Sequence, residues 1–163
     1  MLCLLVAFMV QPIGFAAGGK LVDLKVHSPA LEGNLLGDSA DRNVIVYLPP
    51  SYDTSSTQRY PVVCLLHGYT GNPGGMVQFL SLKTVMDTLV AEGKVQEMIF
   101  VMPDAHNKYL GSWYVNSATT GNWEDFITQE LVEYIDSNYR TLPRAASRGI
   151  AGISMGGAMG LLY

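Results

Sequence analysis

The sequence predicts an α/β fold in which a mostly parallel central sheet is flanked by helices. Two segments, YPVVCLLHG and MIFVMPDA, are apolar at most positions, as expected of strands covered on both faces. Segments with the apolar period of a helix alternate with the later strands, and this alternation favours parallel pairing. Apolar residues make up 48% of the 163 residues and charged residues 15%, which is typical of a globular domain.

Five strands are predicted. The first alternates apolar and polar residues and is predicted to be an outer strand, and the second is ended by two prolines. The five cover residues 20–28, 43–50, 60–68, 98–105 and 148–154.

Helices fill the gaps between the later strands. One is predicted over residues 76–91, with Gly93 as its C′ residue. A second begins at Asn122, an expected N-cap, and a third begins after Ser154. The apolar stripe of the first helix consists of Phe79, Leu82, Val85, Met86 and Leu89.

Residues 1–17 carry no charge, and the first charged residue is Lys20. This stretch is shorter than the roughly twenty apolar residues of a membrane span, and small residues near its end fit a signal-peptide cleavage site. We expect a partial signal peptide over 1–17, because a basic start is missing, and a catalytic domain over 18–163. Its location would be secreted or periplasmic. The alternative is an N-terminal strand or helix of the fold.

The amino-acid composition limits which partners and cofactors the protein is expected to bind. A net charge of -4 gives no electrostatic reason to bind nucleic acid or an anionic membrane. No ligand cluster indicates a metal or an organic cofactor; Asp104 and His106 could be metal ligands, but loop packing is the preferred interpretation. Cys64 is predicted to be a small buried residue and not a nucleophile, because neither neighbour could activate it.

The strongest motif lies in the last twelve residues, GISMGGAMGLLY. Gly152-x-Ser154-x-Gly156 falls where a buried strand gives way to a Gly-rich helix, the setting of the nucleophile elbow of a hydrolase. The two glycines are expected where a β-carbon would collide with the tight turn. Ser154 is the predicted nucleophile, and the N–H of Met155 is a predicted oxyanion donor.

A second oxyanion donor is expected from LLHGYTGNPGG, residues 65–75. Gly68 lets the backbone approach a ligand, so the N–H of Tyr69 is the predicted donor. The alternative is that the glycines only form a tight turn between a strand and a helix. His67 is expected to orient this turn by a hydrogen bond rather than to act as a general base.

Three segments together resemble the esterase D-like family of α/β-hydrolases, which includes S-formylglutathione hydrolases, feruloyl and enterochelin esterases and mycolyltransferases. They are LLHGYTG, the stretch from MPDAHNKYLG to ELVEYID, and YRTLPRAASRGIAGISMGG, within about residues 35–163. The resemblance implies the α/β-hydrolase fold and a Ser-Asp/Glu-His triad with Ser154 as nucleophile. It also implies oxyanion donors at Tyr69 and Met155, with the acid and the histidine after the serine.

The triad acid and histidine of that family have no counterpart in this sequence, whose three histidines all precede Ser154. We therefore expect the C-terminal strands of a hydrolase sheet, roughly a hundred residues, to be missing. The sequence is interpreted as the N-terminal portion of a larger enzyme, and as a fragment it is expected to be nearly inactive.

Substrate-binding candidates follow the strand at 98–105, since open α/β sheets bind ligands at that edge. Trp113 and Tyr114 could stack on a sugar or an aromatic acyl group, or form a packed lid. Asn116, and His67 with Gly68 in the other loop, are further candidates.

Glu130 interrupts the apolar stripe of the helix that begins at Asn122, between Ile127 and Leu131. A buried carboxylate must be paired. We expect a structural bond to Arg148 or to backbone N–H groups rather than a catalytic role.

These features predict a secreted serine carboxylic ester hydrolase that forms an acyl-enzyme at Ser154, with feruloyl or acetyl esters of carbohydrate as suggested substrates. Acyl transfer to a sugar acceptor is a variant of the same mechanism. A non-catalytic exported hydrolase-fold binding module, or a truncated gene product, is the alternative from another class. The expected partner is a small or polysaccharide-linked ester, with neither nucleic acid nor stable membrane insertion.

Overall fold

The computed structural model describes residues 18–161, which contain a five-stranded sheet. The five strands are β1 Lys20–His27, β2 Asp41–Leu48, β3 Val62–Leu66, β4 Ile99–Pro103 and β7 Arg148–Gly152. Their order is β1-β2-β4-β3-β7; β3 pairs in parallel with β4 and β7, whereas β2 pairs antiparallel with β1 and β4. The α/β class and the parallel later part of the sheet are confirmed, and the described sheet as a whole is mixed.

A short antiparallel hairpin stands apart from this sheet, with β5 at Asn116–Ser117 and β6 at Gly121–Asn122. Within residues 18–161 no helix is long and apolar enough to cross a membrane. The predicted signal peptide, residues 1–17, lies outside the described residues, so it stays a prediction.

The core lies on both faces of the sheet because the central strands are apolar on both sides. In β3, Leu66 joins the larger apolar cluster and Leu65 the smaller one; in β4, Val101 and Met102 divide in the same way. This pattern is what a strand covered on two faces requires.

The predicted helix over 76–91 is two helices, α1 Pro73–Leu80 and α2 Leu82–Ala91. They meet at Ser81, whose φ of 47° is left-handed and ends α1. The break shifts the phase of the apolar stripe: Leu82 is buried, but Phe79 is 76% exposed. The prediction of one continuous helix was wrong because a pattern of apolar residues does not report a break of this kind.

The next helical stretch is continuous but not uniform. It consists of α3 Trp123–Asp125, a π-helical turn Phe126–Glu130 and α4 Leu131–Asn138. Besides Phe126, its buried residues recur every four positions, a spacing at which an apolar stripe drifts about 40° per step around a regular α-helix. The π turn holds more residues per turn and removes part of this drift. These four buried residues are Trp123, Ile127, Leu131 and Ile135.

Glu130, at the end of the π turn, ties this helix to the loop after β1. Its carboxylate accepts hydrogen bonds from the Ser28 hydroxyl and, at 2.8 Å, from the Ala30 N–H. The expected bond to a backbone N–H is therefore present, but the alternative partner Arg148 is not used, because its guanidinium pairs with Asp136. Glu130 has a structural role.

Replacing Glu130 with Ala should lower the free energy of unfolding by about 1–3 kcal/mol, because the Ala30 N–H and the Ser28 hydroxyl lose their acceptor. Denaturant titration of the full-length protein measures this difference. Glu133→Ala is the matched control, since Glu133 lies exposed on α4. Equal stability of the two variants would contradict the role given to Glu130.

His27 carries a testable charge effect at the end of β1. Its ring lies 2.8 Å from Asp41 and 2.9 Å from Glu32, and these hydrogen bonds, that with Asp41 first, raise the pKa of His27 above its ordinary value of 6.5. The stabilisation is complete below the unfolded-state pKa and is lost as pH rises through the higher folded-state pKa.

We expect NMR titration of His27 to give a pKa above 6.5 that falls toward that value in an Asp41→Asn, Glu32→Gln double variant. A pKa at or below 6.5 in the unaltered protein would show that the two carboxylates do not act on the ring.

Candidate active site

Three loops meet at one edge of the sheet because β3, β4 and β7 run parallel, which places their carboxyl ends side by side. Left-handed backbone is concentrated in these loops: of six non-glycine residues with positive φ in the described part of the chain, five lie here. Such strain persists where surrounding structure enforces it, often at functional sites. The five are Thr70, Leu110, Trp113, Tyr114 and Ser154.

Ser154 occupies a tight turn between β7 and helix α5, Met155–Gly160, with φ 54° and ψ -116°. A β-carbon on Gly152 would lie 2.4 Å from the carbonyl carbon of Gly156, and one on Gly156 would lie 2.4 Å from the oxygen of Leu66. Neither position can hold a side chain, so the predicted need for both glycines is confirmed. The Ser154 residue itself is exposed at the start of α5.

The loop after β3 packs directly against this turn. A β-carbon on Gly68 would lie 3.3 Å both from the β-carbon of Ser154 and from the carbonyl oxygen of Ile153. The Ile153 N–H donates to the oxygen of Leu66 at 3.1 Å, which holds the two loops in contact. Gly68 therefore packs so close to the serine that even a methyl group at this position would be crowded.

Two backbone N–H groups beside Ser154 make no hydrogen bond with the part of the chain that the structure describes. Met155 is the first residue of α5, so its N–H has no acceptor within the helix. The N–H groups of Thr70 and Gly71 donate within the loops, but that of Tyr69 makes no hydrogen bond in residues 18–161. These are the two groups predicted to bind an oxyanion, and that role stays a prediction.

His67 is buried and connects the loop after β3 to the loop after β4. Its Nε2 accepts the Ala105 N–H at 2.9 Å, so the proton is on Nδ1, which donates to the oxygen of Gly68 at 2.8 Å. Both ring nitrogens are therefore occupied by backbone groups. This geometry suits a residue that orients the loop and leaves no nitrogen for proton transfer from Ser154.

Arg42 anchors the loop after β4 through its buried side chain. Its buried guanidinium donates to the oxygens of Asp104, Ser39 and His106 and lies 3.4 Å from the Asp104 carboxylate. Burial lowers the pKa of Arg42 from its ordinary value, against the opposing effect of Asp104. Burial alone would raise the pKa of Asp104, but the hydrogen bond from the His106 N–H and the positive charge of Arg42 outweigh it and lower that pKa.

The three aromatic and amide candidates after β4 have different surroundings. Trp113 is 52% exposed, and its ring centroid lies 6.4 Å from that of Tyr69. Tyr114 is buried, with its hydroxyl donating to the oxygen of His67 at 3.0 Å, so it corresponds to the packed alternative and not to a stacking surface. Of the two rings, only Trp113 is accessible.

Asn116 caps a helix. Its side-chain oxygen accepts the N–H groups of Glu124 and Asp125 at 2.9 and 3.2 Å, and its amide nitrogen donates to the Asp125 carboxylate. Asn122, the predicted N-cap, makes no such side-chain bond. The amide of Asn116 thus makes its hydrogen bonds at the start of α3, so it is a poor candidate for binding a substrate.

Gly111 and Arg42 are site-supporting residues that the sequence did not reveal. A β-carbon on Gly111 would lie 2.9 Å from both Met155 Sδ and a ring carbon of Tyr69, so this glycine allows the loop after β4 to pack between the two oxyanion candidates. Arg42 sits in an alternating strand, where an arginine gives no sign of being buried.

No group of three His, Cys, Asp or Glu side chains within residues 18–161 could hold a metal ion. His106 donates its N–H to the Asp104 carboxylate at 2.9 Å, a local loop contact. Burial raises the pKa of the Cys64 thiol to about 12, so that thiol is protonated and a poor nucleophile at neutral pH.

Known proteins are similar to this chain in both fold and sequence. The model of a family described as a putative esterase matches residues 39–163. The chain belongs to this esterase family. It is 34% identical to an esterase of Mycobacterium tuberculosis over 98% of its own length and 34% of that protein's length. It is also 32% identical to an endo-1,4-beta-xylanase/feruloyl esterase of Xylanibacter ruminicola, over 69% of this chain and 16% of that one.

A solved ferulic acid esterase structure superposes on this chain with a TM-score of 0.77 and 33% sequence identity. The match covers 87% of this chain and 52% of the solved one. The chain thus spans about half the length of the solved structure and about a third of the mycobacterial relative.

Replacing His67 with Ala should lower the free energy of unfolding by about 1–3 kcal/mol, since the Ala105 N–H loses its acceptor inside the protein. His106→Ala is the control, because the His106 ring makes no hydrogen bond within residues 18–161. Thermal or denaturant melting of both variants provides the comparison. A His67 variant as stable as the His106 variant would show that the ring does not hold the two loops together.

Proposed function

We propose that the full-length protein is a secreted serine carboxylic ester hydrolase. The observation that carries this proposal is the geometry of Ser154, which stands on a strained turn at the start of α5 beside two unused backbone N–H groups. A hydroxyl in this position can attack a carbonyl carbon while the N–H groups of Tyr69 and Met155 bind the oxygen that becomes negative. The start of α5 adds further favourable dipoles.

The reaction proceeds in two steps on this proposal. The Ser154 oxygen bonds to the ester carbonyl carbon, its proton passes to a general base, and the alcohol leaves after receiving that proton. Water then attacks the acyl carbon and gives a proton to the same base. The base passes this proton to the Ser154 oxygen as the bond between that oxygen and the acyl carbon breaks, and the acid is released. Transfer of the acyl group to a sugar hydroxyl instead of water is the same second step with another nucleophile.

The general base is assigned to a part of the full-length protein outside residues 18–161. Both nitrogens of His67 are occupied by backbone groups, and His27 lies on β1 between two surface carboxylates. The proposal therefore gives this chain the nucleophile and the oxyanion donors, and assigns the acid and base to later residues of the kind that the family resemblance implies.

Feruloyl or acetyl esters of carbohydrate are the proposed substrates. Two proteins with more than 30% identity are named for feruloyl or ferulic acid esterase activity, and the exposed Tyr69 and Trp113 rings offer an aromatic surface beside Ser154. The uncharged residues 1–17 support export of the protein.

A fluorophosphonate probe on the full-length protein tests the proposal, because it labels only an activated serine. We expect labelling that disappears in Ser154→Ala, together with a fall in acetyl-ester hydrolysis of at least about 10³-fold. Ser137→Ala, an exposed serine on α4, is the control and should label like the unaltered protein. Absence of labelling in the unaltered protein would reject the enzyme and favour a non-catalytic binding module.

A further inference from the structure

An apolar cleft opens beside Ser154, on the side of α1. It adjoins the serine because Gly68, which forms part of its wall, packs against the β-carbon of Ser154, and because Ile153 directly precedes that residue. No Asp, Glu, Lys or Arg lines it among the described residues. Glycine backbone and the side chains of Tyr69, Met76, Phe79 and Ile153 form most of its wall, and His67, Thr70 and Asn72 add polar groups.

The wall exposes three large apolar side chains at once. Phe79 is 76% exposed, Tyr69 47% and Ile153 37%. Single exposed apolar residues are ordinary, but a group of them around one concave surface next to a nucleophile is typical of a ligand site. The left-handed turn at Ser81 ends α1 two residues after Phe79, so this ring is not part of the buried stripe continued by Leu82.

Gly75 keeps the cleft open. It lies inside α1, where glycine costs about 1 kcal/mol relative to alanine. A β-carbon there would have only the Asn72 amide nearby, at 3.5 Å, so packing within the protein does not require glycine. The absence of a side chain leaves space between the loop after β3 and Phe79.

The position of the cleft determines which part of an ester it can hold. β7, at whose end Ser154 lies, is an edge strand among the described residues, and on the proposed function the segments that bring the general base add to the sheet beyond it, on the far side of Ser154 from α1. On the proposed function, the general base follows Ser154 in the chain and approaches from that far side. The base protonates the leaving alcohol, so the alcohol faces the base and the acyl substituent faces the cleft.

We propose that this cleft binds the acyl group of the ester and that Phe79 selects flat, aromatic acyl groups by packing on their face. This inference rests on the proposed function and deepens it. An aromatic ring held between Phe79 and the glycine-rich backbone of the opposite wall gains both apolar burial and ring contact. A short acyl group such as acetyl does not reach Phe79.

Two pairs of esters test the inference on the full-length protein. Methyl ferulate against methyl acetate varies the acyl group, and 1-naphthyl acetate against methyl acetate varies the alcohol. We expect Phe79→Ala to lower the ratio of kcat/KM in the first pair by about fivefold to tenfold and to leave the ratio in the second pair unchanged. Gly75→Leu, which fills the cleft, should lower the first ratio further.

Leu35→Ala is the matched control, since Leu35 is 78% exposed and should leave both ratios unchanged. A fall in the second ratio alone would place the alcohol in the cleft and overturn the acyl assignment. Unchanged ratios in both Phe79→Ala and Gly75→Leu would overturn the subsite.

Binding of methyl ferulate to a variant that cannot hydrolyse it separates this inference from the proposed function. In a Ser154→Ala background, Phe79→Ala should raise the Kd for methyl ferulate by about fivefold to tenfold. Labelling and hydrolysis of the unaltered protein report on the enzyme, whereas this Kd reports on the cleft even if hydrolysis is absent. If Phe79→Ala leaves this Kd unchanged, the subsite is rejected, whatever the outcome of the labelling.

Discussion

The contact between Gly156 and the carbonyl oxygen of Leu66 is the constraint on which the site depends. A β-carbon at Gly156 would lie 2.4 Å from that oxygen, so helix α5 can rest on the end of β3 only if this residue has no side chain. The same closeness brings Ser154 against Gly68 and places the first N–H of α5 beside the loop after β3. Any side chain at 156 would push α5 outward and separate the nucleophile from its predicted oxyanion donors.

Buried polar side chains then hold the loops that surround this contact. Loops that enter the interior carry carbonyl and N–H groups that must find partners. His67 and Arg42 supply them for the loop after β4, and Tyr114 donates to the carbonyl of His67. These bonds stabilise backbone conformations that are strained on their own, among them the left-handed Trp113 that presents its ring to solvent.

The parts of the fold that the sequence predicts well are those that depend on local pattern. Buried strands are apolar throughout, and the two glycines around Ser154 mark a turn with no room for side chains. The parts that it does not predict depend on distant partners: the break at Ser81, the cap supplied by Asn116, and the partners of Glu130, which lie about a hundred positions earlier in the chain. The sequence shows which side chains are polar, but it does not show which distant group each of them contacts in the folded protein.

The π turn at Phe126–Glu130 determines where this helix can change in length. The turn holds about one residue more than regular α-helix, so loss of one residue within it would restore regular α-helix and leave Leu131 and Ile135 facing the core. Loss of one residue after the turn would instead rotate the residues that follow by about 100° and carry Ile135 out of the core. The same deletion is thus absorbed inside the π turn but uncouples two layers of the molecule when it falls a few residues later.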